Sequence, residues 1–265
     1  MKLDFLLNMA LEASKKASKA ILNEKQNLKI WQKDDKTFLS SADIKSNDIL
    51  FEELKYSDIA ICSEENQLSY DERKNLSYFW LIDPLDGTKG FLNNSKEYCI
   101  LIALIHQKRP ILSIIVNVEE NIFYYGHKHS KIYKNNEILK RNEEEFKTNQ
   151  KTALISNNHQ NTLKFLEQNS LKPLKINSAL KFVYLLDGKA SIYHRLVNLN
   201  SWDIAAGDFL INHSLGYMKD INNNFISYNE ISFKCPYFLA LAKDIKYKAL
   251  LINLKKYSNE IYKNN

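Results

Sequence analysis

Leu3, Leu6, Leu7, Ala10, Leu11, Ala17, Ala20 and Ile21 recur at helical spacing, which predicts an amphipathic helix from the start of the chain to about Asn23. Asp4, Asn8 and Glu12 interrupt the apolar positions, so this segment is expected to be neither a secretory leader nor a membrane span. "LKIWQK" then predicts a strand, "KDDKTFLSSAD" a polar loop and "DIKSNDILFEELKY" a second helix. Two apolar runs follow, "DIAICSEEN" and "FWLIDPLDG", and both end in acids. Each reads as a buried strand that delivers carboxylates at its C-terminal end.

From Glu97 to about Tyr133 the pattern is strand after strand, "EYCILIALI", "PILSIIVNV", "NIFYYGHK" and "SKIYKNN", with the short polar links of an antiparallel meander. Beyond a Glu- and Asn-rich connector at 141–151 the types alternate. "TALIS", "LKPLKI", "ASIYHRL" and "YFLALA" predict strands; "QNTLKFLEQN", "SALKFVYLLDG" and "SWDIAAGDFLINHSLG" predict helices, the last ended by Gly216, and a lysine-rich helix closes the chain. The order predicts a layered α+β fold, with an antiparallel-rich N-terminal half and a mixed-sheet C-terminal half. Two subdomains are expected, 1–150 and 151–265, divided at the connector.

Composition narrows this picture. An apolar content of 45 % supports a sizeable core, and only six glycines leave many tight turns to Asn and Asp. Lys plus Arg number 37 against 31 for Asp plus Glu, but the excess is scattered lysine. That argues against a nucleic-acid polymer as partner and suits steering of a small polyanion. Cys62, Cys99 and Cys235 fit no zinc or CxxC spacing and read as buried thiols of a reducing compartment. The protein is therefore expected in the cytoplasm, free or peripheral at the inner membrane, as monomer or homodimer. Cys99 has no activating base nearby in sequence, which argues against a thiol nucleophile. His127 and His129 are expected on one exposed edge of a meander strand, without a carboxylate to complete a metal site.

The candidate chemistry lies in the acids. Asp83 ends an apolar strand, Pro84 forbids a ladder hydrogen bond, and Gly87 with Thr88 reads as a turn into a helix start. Asp83 and Asp86 on such a turn can face one point, at a cost that a cation relieves. Mg²⁺ takes oxygen ligands of this kind, and the N–H groups of Gly87 and Thr88 suit a phosphate. The plainer reading is a capped strand-to-helix turn. Glu64 and Glu65 at the end of "DIAICS" and Asp203 in the first turn of "SWDIAAG" weigh against it, although Asp203 alone would read as an acid complementing a helix dipole.

Together "SEE", "DPLDGT" and "WDIAAG" resemble the signature of the lithium-sensitive, Mg²⁺-dependent phosphomonoesterases of the inositol monophosphatase superfamily, in order and spacing over nearly the whole chain. "KDDKTFLSSAD" is similar to the family's K-x-D-x-S-P-V-T-x-A-D segment, with Ser40 for Thr, Thr37-Phe38 for Ser-Pro and Asp43 kept. The resemblance implies an αβαβα sandwich and two Mg²⁺ ions, with a third optional. It implies that Glu64, Asp83 and the Leu85 carbonyl hold the first metal, and that Asp83, Asp86 and Asp203 hold the second. Glu65 then orients a metal-bound water, its role exchangeable with that of Glu64. Thr88, hydrogen-bonded to Asp43, activates the attacking water, and the second metal stabilises the leaving alkoxide.

Within the superfamily, "DGTKGFL" resembles the DGTKEF of 3′(2′),5′-bisphosphate nucleotidases of the CysQ type, with Gly90 replacing Glu. "NSALKFVYLLDGKASIYHR" is similar to that subfamily's G-S-S-L-K-F-x-x-x-A-x-G-x-A-D-x-Y-P-R. Lys181 and Arg195 are retained there, Asn177-Ser178-Ala179 replaces Gly-Ser-Ser, His194 replaces Pro, and Ser201 stands where Glu is common. The resemblance implies a substrate contacted by Gly87, Thr88, Lys89, Ser178, Lys181, Arg195 and Asp203. The expected reaction removes the 3′-phosphate of adenosine 3′,5′-bisphosphate or its sulfated analogue. Lys181 and Arg195 suit a second phosphate, while the alternative for each is a plain surface charge. The rival activities are an inositol- or sugar-phosphate monophosphatase and a non-catalytic metal- and nucleotide-binding regulator.

Overall fold

Leu3, Leu6, Leu7, Ala10, Ala13, Ala17 and Ile21 are buried along one face of helix α1 (Leu3–Glu24) in the computed structural model, which describes residues 2–34, 37–156, 160–197, 199–214, 216–243 and 247–263. The "KDDKTFLSSAD" segment departs from a plain loop. Phe38–Ser40 forms a strand, β2, paired antiparallel with β1 (Ile30–Gln32). Ser40 then caps α2 (Ser41–Leu54): its N–H donates to Asp43 Oδ2 at 2.8 Å, and its Oγ accepts from Asp43 N at 3.4 Å. This reciprocal cap satisfies groups that a helix start leaves open.

Seven strands form the first sheet: β3 (Ala60–Ser63), β4 (Tyr78–Asp86), β5 (Cys99–His106), β6 (Arg109–Asn117), β7 (Ile122–His127), β8 (Tyr133–Lys134) and β9 (Glu137–Ile138), in that spatial order. β3 and β4 run parallel and every other pair is antiparallel. Short helices α3 (Tyr70–Arg73) and α4 (Thr88–Leu92) flank β4. The connector at 141–151 is not bare loop. It holds α5 (Glu143–Thr148), capped by Asn142 and anchored by the buried Phe146.

The second sheet is mixed, in the order β11 (Lys172–Lys175), β10 (Thr152–Ile155), β12 (Ile192–Arg195), β14 (Phe238–Leu241), β13 (Tyr217–Asp220). β10 pairs parallel with β11 and β12, and β14 is antiparallel to β12 and β13. Its helices are α6 (Gln160–Gln168), α7 (Leu180–Asp187), α8 (Ser201–Asn212) and α9 (Tyr247–Lys263). None of the described helices is long and apolar enough to cross a membrane.

Strand alternation sorts the cores. Trp80, Ile82, Ile100, Ile102, Ile114 and Val116 face α1 and α2; Phe79, Leu81, Leu101 and Ala103 face α7 and α8. The far side of α7 and α8 covers Leu154, Tyr193, Phe238 and Ala240 of the second sheet, while Ile155, Ile192 and Leu239 meet α6 and α9. The layers are therefore α, β, α, β, α, as the resemblance implies. α7 and α8 form the central layer, and their contact depends on Gly207. A Cβ there would lie 2.2 Å from the Phe182 ring.

Two further readings are corrected. α8 ends at Asn212, short of Gly216, because the Asn212 side chain turns to the next strand: its Nδ2 donates to Met218 O at 3.0 Å and its Oδ1 accepts from Met218 N at 2.9 Å. His127 is buried, not on an exposed edge, and its Nε2 lies 3.0 Å from Asp4 Oδ1 of α1.

Candidate metal and phosphate site

Parallel pairing of β3 and β4 puts Ser63 beside Ile82, so the next residues, Glu64 and Asp83, leave the sheet side by side. The Glu64 N–H donates to Ile82 O at 3.0 Å and continues the ladder to the point where both side chains emerge. Past Asp83 the pairing with β5 shifts register before Asp86. Pro84 offers no N–H there, and its carbonyl accepts from Ser46 Oγ of α2 at 2.7 Å. Leu85 N donates to Asp83 Oδ1 at 3.0 Å. This irregular stretch lets two acids three apart reach the same neighbourhood, which a regular strand would send to opposite faces.

Asp203 arrives from the central layer. It lies in the first turn of α8, and its Oδ2 accepts the Asn200 N–H at 2.8 Å. One oxygen each from Glu64, Asp83 and Asp203 falls within 4.8 Å of the others. Burial is the first cause raising Asp83 well above the usual carboxylate range, followed by the fields of Glu64, Asp86 and Asp203. Burial and then Asp86 and Glu64 do the same to Asp203. Three converging hard oxygen donors that repel one another fit a divalent cation such as Mg²⁺.

Asp86 is outside that trio. Its Oδ2 accepts the Ala179 N–H, and Cys99 Sγ lies 3.7 Å away. Burial raises Asp86, opposed by the Ala179 hydrogen bond and by Lys181. Thr88 places its hydroxyl 2.8 Å from Asp43 Oδ1 and 3.0 Å from Leu85 O. Asp43 is buried beneath it; burial raises its pKa against hydrogen bonds from Ser40 and Thr88. Gly87 precedes α4 at φ 96°, and a Cβ there would come within 2.8 Å of Glu97 O, so the turn requires glycine. Lys89 lies on the exposed side of α4.

A cavity of about 150 Å³ opens beside these acids, bounded by Asp86, Ser178, Lys181, Tyr193, Arg195 and Asp203. Lys181 is buried there, not a surface charge, and burial lowers it to about 8 against the pull of Asp86, with Arg195 adding to the fall. Arg195 donates from Nη1 to Ser156 Oγ at 2.9 Å.

Lys33 escaped the sequence reading. Its Nζ lies 2.7 Å from Glu65 Oε1 and 3.0 Å from Glu64 Oε1. Burial works against its charge, but the two glutamates outweigh that and raise its pKa, while burial raises Glu65. The only signal available was its place at the head of "KDDKTF".

A family model described as the inositol monophosphatase family matches residues 2–254. The chain belongs to the inositol monophosphatase family. Among curated relatives of this family it is similar to the 3′(2′),5′-bisphosphate nucleotidase CysQ of Salmonella typhimurium, 26 % identical over 231 residues, covering 84 % of this chain and 94 % of the relative. The CysQ nucleotidase of Buchnera aphidicola is 30 % identical over 223 residues, covering 79 % and 81 %. The solved structure of CysQ from Bacteroides thetaiotaomicron shares the family fold with a TM-score of 0.76 at 21 % identity, over 90 % of this chain and 97 % of that one.

Proposed function

We propose that this chain is a Mg²⁺-dependent phosphomonoesterase that removes the 3′-phosphate of adenosine 3′,5′-bisphosphate, giving AMP and phosphate, and that also accepts the sulfated analogue. The observation carrying the reading is the pairing of Lys181 with Arg195 in the cavity that holds Asp86 and Asp203. Two cations lining the same cavity as these carboxylates suit a substrate with a second phosphate. The names of the curated relatives support the same substrate class.

Glu64, Asp83, Asp203 and the Leu85 carbonyl would hold Mg²⁺, with Asp86 completing a second position. When bound, the cations supply charge that polarises the phosphate and lowers the pKa of coordinated water. The Thr88 hydroxyl donates to Asp43 and keeps lone pairs to accept from a water approaching the phosphorus. The N–H groups at Gly87 and Thr88, at the head of the α4 turn, would donate to phosphate oxygens as these gather charge. Lys181 and the Arg195 fork hold the remote phosphate and so orient the ester for in-line attack.

Phosphate release from adenosine 3′,5′-bisphosphate, inositol 1-phosphate and fructose 1,6-bisphosphate, each with Mg²⁺ and with or without Li⁺, tests the reading. The adenosine substrate should have the highest kcat/KM, and Li⁺ should inhibit. Preference for either other ester would sink the nucleotidase assignment. Binding without turnover of any would mark a regulator.

A further inference from the structure

Ser178 holds a left-handed backbone, φ 54°, at the wall of the Lys181–Arg195 cavity. A residue with a side chain persists there only when its surroundings fix it. A carboxylate ties down each neighbour. Ala179 donates its N–H to Asp86 Oδ2, and Glu97 Oε2 accepts from Asn177 twice, from N at 2.8 Å and from Nδ2 at 2.7 Å.

The same Glu97 also touches the phosphate-facing turn. A Cβ on Gly87 would lie 2.8 Å from Glu97 O and 3.1 Å from Ser178 Cβ, so the two turns and the Glu97 backbone pack as one unit. Ser178 O in turn accepts from Lys181 Nζ at 2.8 Å, the one hydrogen bond of that ammonium among the described residues. A chain of contacts thus runs from Glu97 through Asn177 and Ser178 to the cation of the cavity.

We propose that Glu97 is a positioning residue for substrate choice: its carboxylate sets the Asn177–Ser178–Ala179 turn, and through the Ser178 carbonyl it places the Lys181 ammonium for a second anionic group on the substrate. The identity of that substrate rests on the nucleotidase reading. Glu97 itself touches no reacting atom.

The test compares wild type, Glu97→Ala and Glu97→Gln on adenosine 3′,5′-bisphosphate and adenosine 3′-monophosphate, which differ only in the second phosphate. Losing two hydrogen bonds to a charged acceptor should raise the Ala variant's KM for the bisphosphate about tenfold, with kcat and the monophosphate KM moving about twofold or less. Glu97→Gln keeps an accepting oxygen and should restore most of the wild-type KM. An equal rise of KM on both substrates, or a loss of kcat with KM unmoved, overturns the proposal. Thermal melting monitors folding. Should Glu97→Ala not fold, Asn177→Ala removes the Nδ2 bond alone and should give the same split at about two- to threefold, no split again overturning it. A wild type that prefers inositol 1-phosphate defeats the nucleotidase reading separately. Glu97 is then judged on inositol 1-phosphate against inositol 1,4-bisphosphate, where the same split is required.

Discussion

Thr88 donates its hydroxyl to Asp43 across 2.8 Å, although the two lie 45 residues apart on different elements. Asp43 is the third residue of α2, held by the cap on Ser40, and Thr88 opens α4. Replacing Thr88 by Ala should lower kcat by about 10²-fold or more while leaving Mg²⁺ affinity within a few fold, because in the proposed mechanism the hydroxyl handles a proton and not the cation. Thr88→Ser should retain most activity. Steady-state kinetics with calorimetric Mg²⁺ titration separates the two effects.

Asp83 is the most enclosed of the three converging acids. Asp83→Asn should abolish turnover with the fold intact, and substantial residual activity would refute the proposed metal-bridging role. In wild type, Mg²⁺ at about 100 times its Kd should add about 2.7 kcal/mol of stability, a rise in Tm of roughly 5–10 °C that EDTA reverses. The Asn variant should lose that rise.

Lys181, lowered to about 8 mainly by burial, carries its charge below that pH and sheds it above. KM for a bisphosphate substrate should therefore climb between pH 7 and 9. Lys181→Met should start from a high KM and show little of that climb.

His194 is buried, with neither ring nitrogen hydrogen-bonded among the described residues and the Phe165 ring 4.4 Å away. Burial, with Arg195 next in the chain, lowers it to about 3. Its folded pKa lies below the unfolded value, so the unfolded chain binds the proton first. Stability from this site is complete above the ordinary histidine range and falls as pH drops toward 3, by about 1.4 kcal/mol per pH unit at most. Urea unfolding at pH 7 and pH 5 should show a steeper acid loss for wild type than for His194→Leu.

Arg109 on β6 makes two 2.7 Å bonds to the buried Asp208 of α8, which Tyr228 Oη also reaches at 2.6 Å. Arg109→Met leaves that carboxylate short of its charge partner and should cost about 3–5 kcal/mol in chemical denaturation. Since α8 also carries Asp203, Mg²⁺ affinity should fall with it.

Legibility in the sequence followed distance along the chain. "FWLIDPLDG" announced a buried strand with acids at its end because the cause, an apolar run and a proline, sits within a few residues. The layered fold was legible for the same reason, since each helix and strand carries its own periodicity. Strand β2 was missed because it is only three residues long and its last residue, Ser40, is also the cap of α2. The Lys33 contacts, 31 and 32 residues away, and the Asp4–His127 contact, 123 away, left no local trace. The end of α8 was misplaced because a glycine is a visible stop signal, whereas the Asn212 side chain acts only once β13 is in position.

Glu64 and Asp83 come from neighbouring strands of one sheet, while Asp203 comes from a helix sandwiched between two sheets. A chain emerging from the ribosome owns the first pair more than a hundred residues before the third member, and Asp203 can join them only once α8 has packed against the first sheet. Capture of a divalent cation by all three acids would consequently report completed folding, and partly built chains would present an acidic pair without the trap.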